Sequence, residues 1–184
     1  MRQGLIGESN VSVLDCLRSF DGKKVAALAE YCDRRKPTTD EIKWLVEVSC
    51  SGESKPRVAA TWMLKRYIEQ SVSLSKHQVA RLLRCWNDWE EWEATLHVLQ
   101  IFGAIEIPRK LLSTTWEHCQ KLTQHENKMV RAWALHGLAQ ISQREPEYQS
   151  EALLQCRASL DDDSAAVRAR ARKWVKILEK RPKS

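Results

Sequence analysis

The residues that could do chemistry fall into three groups: six cysteines, five histidines, and tryptophans interleaved with basic side chains. Nucleophilic catalysis needs a thiol or hydroxyl beside a base, and metal catalysis needs several ligands at set spacings. His77, His97, His118, His125 and His136 are spread along the chain without HExxH-like spacing, and no CxxC occurs. Asp161, Asp162 and Asp163 are consecutive but have no further ligand spacing beside them. They suit the positive end of the helix that follows better than a metal ion. The sequence therefore assigns no catalytic residue, no metal ligand and no cofactor. What remains is binding chemistry: rings that stack or anchor, and cations that meet phosphates or carboxylates.

The cysteines mark the elements that carry this chemistry. Cys16, Cys50, Cys85, Cys119 and Cys156 are separated by 34, 35, 34 and 37 residues, and only Cys32 stands outside the series. Val13-Leu14, Leu82-Leu83 and Leu153-Leu154 recur just ahead of their markers, so the context repeats with the cysteine. Each marker falls near the end of a predicted helix, and a second helix follows a short polar break. First helices are expected at 11–20, 39–50, 75–86, 108–122 and 146–160, and their partners at 23–35, 56–71, 88–102, 127–142 and 164–180. The repeats then run 11–35, 39–71, 75–103, 108–142 and 146–180 within a single domain.

Only six Gly and five Pro punctuate the chain, which reads as all helical. Pro56, Pro108 and Pro146 suit first turns, Asn127 and Ser164 suit N-caps, and Ser51-Gly52 and Gly103 fall at helix ends. Residues 127–142 show the pattern best: Val130, Ala134, Leu138 and Ile141 form one apolar stripe, with Ala132, His136 and Gln140 opposite. The repeat positions predict buried, reduced thiols rather than disulfides.

A chain of 184 residues, 43% apolar and 29% charged, can build a sizeable core. It has no run of about 20 apolar residues, and its start lacks the apolar core of a signal peptide. A cytoplasmic monomer, with no membrane contact and a fraying tail at 181–184, is the expectation. A net charge of +6 and a pI near 9.1 permit nucleic-acid binding without demanding it.

The second helices VRAWALHGLAQI and VRARARKWVKIL resemble HEAT repeats, with a Val-Arg pair in the first turn followed by small and aliphatic residues. The whole chain is similar to small bacterial HEAT-repeat proteins. The resemblance implies an all-α fold, a right-handed α-α superhelix of about five antiparallel helix pairs whose second helices line the concave side.

Aligning those helices on Leu64, Leu96 and Leu135, and on Val130 with Val167, places Lys65, His97, His136 and Lys173 at one outward position. The neighbouring position holds Trp62, Ala94, Trp133 and Arg170. The candidate site therefore has Trp62 and Trp133 as anchors, with Lys65, His97, His136, Arg170 and Lys173 as polar and charged contacts. The competing account is that the tryptophans fill space between helices and the Lys and His are merely solvated. Asp88, Glu90, Glu91 and Glu93 open the third partner helix and interrupt any basic track. Arg168, Arg172 and Lys176 stand where Arg131, Leu135 and Ala139 stand one repeat earlier, as on the polar outer face of a terminal cap.

Two enzyme families with HEAT-like repeats bear comparison. Deoxyhypusine hydroxylases hold iron through several His-Glu dyads, whereas this chain has one, His125-Glu126. Alkylpurine DNA glycosylases use a basic groove with tryptophans and a carboxylate; Trp62, Trp133 and Glu93 resemble these parts, without an outward Asp. The expected function is a non-catalytic scaffold for a protein partner, with nucleic acid, and its glycosylase extension, as the second reading.

Overall fold

Short polar side chains start several of the helices. Ser12, Thr38 and Ser75 each accept a hydrogen bond from the backbone N–H three residues on, and Asp15 and Gln78 return bonds that complete capping boxes. The computed structural model describes residues 12–51 and 53–180. The predicted start at Val11, the Gly52 helix end and the tail 181–184 lie outside them. Within them run ten α-helices: α1 (Val13–Ser19), α2 (Ala26–Arg34), α3 (Thr39–Ser49), α4 (Ser54–Glu69), α5 (Lys76–Cys85), α6 (Trp92–Ile101), α7 (Leu112–Leu122), α8 (Lys128–Arg144), α9 (Gln149–Ala158) and α10 (Ala165–Leu178). Short 3-10 turns at Arg109–Leu111 and Pro146–Tyr148 lead into α7 and α9, with Pro146 at the first position of its turn.

The chain is all-α, a helical-repeat array of five helix pairs. Successive partner helices α2, α4, α6, α8 and α10 pack on one another as a continuous row. α1, α3, α7 and α9 cover α2, α4, α8 and α10, and α5 lies beside α3. The apolar residues of α5 and α6 enter one core cluster that continues through α10, while a second cluster spans α1 to α4 and ends at Ala94. Every marker cysteine sits on a first helix or its C-terminal cap, as the spacing predicts.

α2, α6, α7 and α9 each start three or four residues later than predicted, and at α6 the shift moves charged residues. Trp86, Asn87 and Asp88 form a 3-10 turn, and α6 begins at Trp92 with Glu91 as its N-cap. Trp86 is buried, with its ring 5.4 Å from Phe102 and 4.5 Å from His118, which keeps the chain against the core through this turn. Asp88 and Glu90 therefore precede the helix, and only Glu93 lies in its first turn.

The stripe predicted for α8 is too narrow. Val130, Ala134, Leu138 and Ile141 are buried, but so are Ala132, Leu135, Gly137 and Ala139. α8 is flanked by α6, α7, α9 and α10, so burial extends around most of its circumference. A Cβ at Gly137 would lie 3.2 Å from Cys119 Sγ and 3.3 Å from both Leu99 Cδ2 and Phe102 Cδ2. A side chain there would need these neighbours to give by a few tenths of an ångström.

The expectation of reduced, mostly buried thiols is corrected at two positions. Cys50 and Cys85 are partly exposed and form a disulfide, with Cα atoms 5.7 Å apart. Stacking places the ends of α3 and α5 side by side, so residues 35 apart in sequence become neighbours. Cys16, Cys32, Cys119 and Cys156 are free and buried. Burial raises the thiol pKa of Cys32 and of Cys156 to about 12 and that of Cys119 further, which makes these groups inert.

Candidate functional site

The row of partner helices carries all seven predicted residues, but they do not form one ladder. On α4, Lys65 lies over the partly exposed Trp62, its Nζ 5.6 Å from the ring centroid, and pairs with Glu69 at 3.1 Å. Its charge is already matched one turn away on the same helix.

His97 is not an outward group. It is only 9% exposed, between α4 and α6, with Nδ1 3.0 Å from Thr61 Oγ1. Thr61 Oγ1 also lies 2.9 and 3.0 Å from the Arg57 and Val58 carbonyls, and the tautomer of His97 sets which group donates across the Thr61–His97 contact. Burial, with the Lys65 charge added, lowers the His97 pKa to about 3. The ring is neutral and structural at neutral pH.

On α8 and α10 the predicted residues do converge. The Arg170 guanidinium lies 4.0 Å from the Trp133 ring centroid, His136 packs edge-on against Trp133 at 4.9 Å, and Trp174 follows His136 at 5.4 Å. The exposed Lys173 extends along Trp174, with Nζ 5.9 Å from its centroid. Trp133 and Arg170 are partly exposed. Stacking and partial burial hold the guanidinium as one face of a mixed aromatic and cationic cluster, and desolvation lowers its pKa below the ordinary arginine value. Burial, with the charges of Arg170 and Lys173, lowers the His136 pKa to about 4, so His136 contributes a neutral ring. The cluster offers a stacking surface and two cations.

The one-position ladder does not form because the caps set a different register for α4 and for α6, where His97, six residues after Glu91, matches Trp133 and Arg170. Glu53, Asn127 and Ser164 are the N-caps of α4, α8 and α10. Counted from them, Trp62 rather than Lys65 is the counterpart of His136, while Trp133 and Arg170 remain equivalent. Small and aliphatic residues recur every three or four places in a helix, so an alignment of single helices can slip by about one turn without changing its apolar pattern.

The caps also reveal residues that the sequence reading missed. The fourth residue after each of these caps is an arginine: Arg57, Arg131 and Arg168. Arg57 Nε donates to the Ser49 carbonyl at 3.1 Å, and its Nη1 reaches Glu91 of the next pair at 2.5 Å. Arg131 Nη1 donates to the carbonyls of His125 and Glu126, and its Nε and Nη2 clasp Asp162 of the next pair at 3.0 and 2.9 Å. Nη2 also meets Asp163 at 2.5 Å. These bonds hold the Asp162 carboxyl down at about 2. Asp162 and Asp163 therefore serve a junction between repeats. The signal available in the sequence was an acid about 31 to 34 residues after an arginine in a first helical turn.

Two other regions offer space. A cavity of about 250 Å³ lies at the C-terminal ends of α6 and α8, bounded by Phe102, Ile107, Arg109, Leu112, Gln140 and Arg144. Arg144 is committed there to the Gly103 and Ile105 carbonyls. A shallow region between Met129 and Ser164 borders the Arg131 junction. Among the described residues, no group of three or more His, Cys, Asp or Glu side chains gathers as for a metal ion, and no helix is long and apolar enough to cross a membrane.

No family model and no curated protein matches the chain. Among solved structures, the chain is similar to the YibA protein of Escherichia coli, with a TM-score of 0.55 at 19% identity. The match covers 84% of this chain and 53% of YibA, so the chain spans about half the length of the solved protein it matches. This likeness concerns the fold alone.

Proposed function

We propose that the chain is a non-catalytic scaffold of HEAT-like repeats that engages a protein partner on the face formed by α8 and α10. The observation that supports this reading is the local cluster of Trp133, His136, Arg170, Lys173 and Trp174. A stacked Arg-Trp pair beside a second cation is suited to anchoring a protein segment that carries an aromatic or acidic group. The partner is bound at one place and not tracked along a groove. The protein acts as a cytoplasmic monomer in this reading, and Trp62 with Lys65 forms a secondary contact.

Nucleic acid is the second reading, and the electrostatics weaken it. His97 is buried and neutral, Lys65 is matched by Glu69, and burial keeps His136 neutral, so Arg170 and Lys173 remain of the five expected polar contacts. Backbone tracking needs several cations in succession.

The deciding experiment has two arms. Fluorescence anisotropy with labelled single-stranded and duplex DNA and RNA at about 50 and 200 mM salt should show no binding at the lower salt. Co-purification from the source cell should recover a protein with the native chain and lose it with a Trp133→Ala, Arg170→Ala variant that folds normally. Tight nucleic-acid binding that collapses with salt and is lost in an Arg170→Glu, Lys173→Glu variant would overturn the protein reading and justify an assay for base excision.

A further inference from the structure

The face of α10 that points away from α8 repeats a junction with its acidic half missing. Arg131 and Arg168 hold equivalent positions, and their Nη1 atoms make the same bonds, to carbonyls six and five residues earlier. For Arg168 these are Asp162 and Asp163, at 2.7 and 2.9 Å. This shared tether fixes each guanidinium to the turn before its own helix. In Arg131 the remaining Nε–Nη2 edge clasps the Asp162 carboxylate. The same edge of Arg168 has no acidic partner among the described residues.

The rest of the face differs in the same sense. Leu135 and Ala139, four and eight residues beyond Arg131, are buried. Their counterparts beyond Arg168 are Arg172 and Lys176, both exposed. Evenly spaced cations around an open guanidinium fork make a surface complementary to a carboxylate-bearing segment.

We propose that this end face of α10 is a docking site for an acidic turn of a partner protein, in which an Asp or Glu carboxylate takes the Nε–Nη2 edge of Arg168 while Arg172 and Lys176 attract its flanking charge. Two-fold pairing of end faces from two copies would bring these like charges together, which disfavours that occupant. Residues 181–184, RPKS, bring no acidic side chain. The proposal concerns a surface separate from the Trp133 cluster and stands whether or not that cluster binds a partner.

The probe is a synthetic peptide of Ser159 to Ala166, SLDDDSAA, the turn that Arg131 grips, added to the full ¹⁵N-labelled chain. The Arg168 Nε–H resonance should move saturably, with a midpoint at or below about 1 mM, the range of a single weak contact. The Arg131 Nε–H resonance, already occupied, should stay in place. A peptide with both Asp162→Asn and Asp163→Asn should leave the Arg168 resonance unmoved. Arg168→Lys, which keeps the charge but loses the planar fork and with it this resonance, should weaken binding about tenfold as read by isothermal titration calorimetry of the same peptide. An Arg172→Glu, Lys176→Glu variant, which leaves Arg168 and its tether intact, should do the same.

Absence of a saturable shift would overturn the proposal. So would movement of the same resonance by inorganic phosphate at lower concentration than by the peptide, which would make the edge a general anion site. Concentration-dependent self-association that moves the Arg168 resonance would place a second copy on this face and overturn it equally.

Discussion

Arg131 joins the fourth and fifth helix pairs by gripping Asp162 through two parallel bonds, Nε to Oδ2 at 3.0 Å and Nη2 to Oδ1 at 2.9 Å. Both side chains are mostly buried, 14% and 17% exposed, and Arg131 also tethers the turn before its own helix. Bidentate, charge-assisted bonds in such a setting stabilise more than surface pairs do. Asp162→Asn is expected to lower unfolding stability by about 2 kcal/mol, and Arg131→Gln by at least as much. A double-mutant cycle in urea should give a coupling of about 1–3 kcal/mol.

His97 should make stability depend on pH. Its pKa is about 3 in the folded chain against an ordinary value of 6.5, so between these values the unfolded chain binds the extra proton. Stability is then fully present above pH 6.5 and is lost as pH falls from there towards 3. His118 and His136, each lowered to about 4, add in the same direction. Between pH 7 and 4.5 the His97 share is on the order of 2 kcal/mol. Urea midpoints should fall over this range, and an NMR titration should show the His97 ring neutral at pH 4.5.

Gly137 should tolerate no branched side chain. The Cys119, Leu99 and Phe102 side chains already stand 3.2 to 3.3 Å from where its Cβ would be. Gly137→Val is expected to cost about 1–3 kcal/mol by overpacking, despite any gain in helix preference. Thermal or urea unfolding of the variant measures this directly. An unchanged midpoint would mean that α6 and α7 can move away from α8.

Under non-reducing conditions the denatured protein should present four titratable thiols, rising to six after reduction, because Cys50 and Cys85 are paired. Mass spectrometry of a non-reduced digest should find these two cysteines in one linked peptide. A Cys50→Ser, Cys85→Ser variant should unfold at lower urea, since the link closes a loop of 35 residues and such links contribute about 2–4 kcal/mol. In a reducing cytoplasm the same loss would accompany opening of the bond.

Much of this architecture was legible because repetition is written along the chain. Cysteine spacing, helix caps such as Asn127, and apolar periodicity are local properties, and they place ten helices to within a few residues. The equivalence of Trp133 and Arg170 was legible for the same reason: residues 37 apart at matching helix positions meet when consecutive helices stack. Arg168, Arg172 and Lys176 were likewise recognisable as the counterparts of Arg131, Leu135 and Ala139.

Relations across the stack were decided only by the tertiary structure. Whether His97 faces water or Thr61, whether Lys65 is free or held by Glu69, and whether Cys50 is a thiol or half of a disulfide all depend on the rotation and spacing of neighbouring helices. A helix slipped by about one turn keeps its apolar stripe but exchanges which polar residues meet the next helix, and no single-helix pattern carries that information. The sequence by itself determined that paired helices would stack and, to within about four residues, where each begins and ends; packing alone determined which arginine holds which acid, because that bond forms between turns more than thirty residues apart.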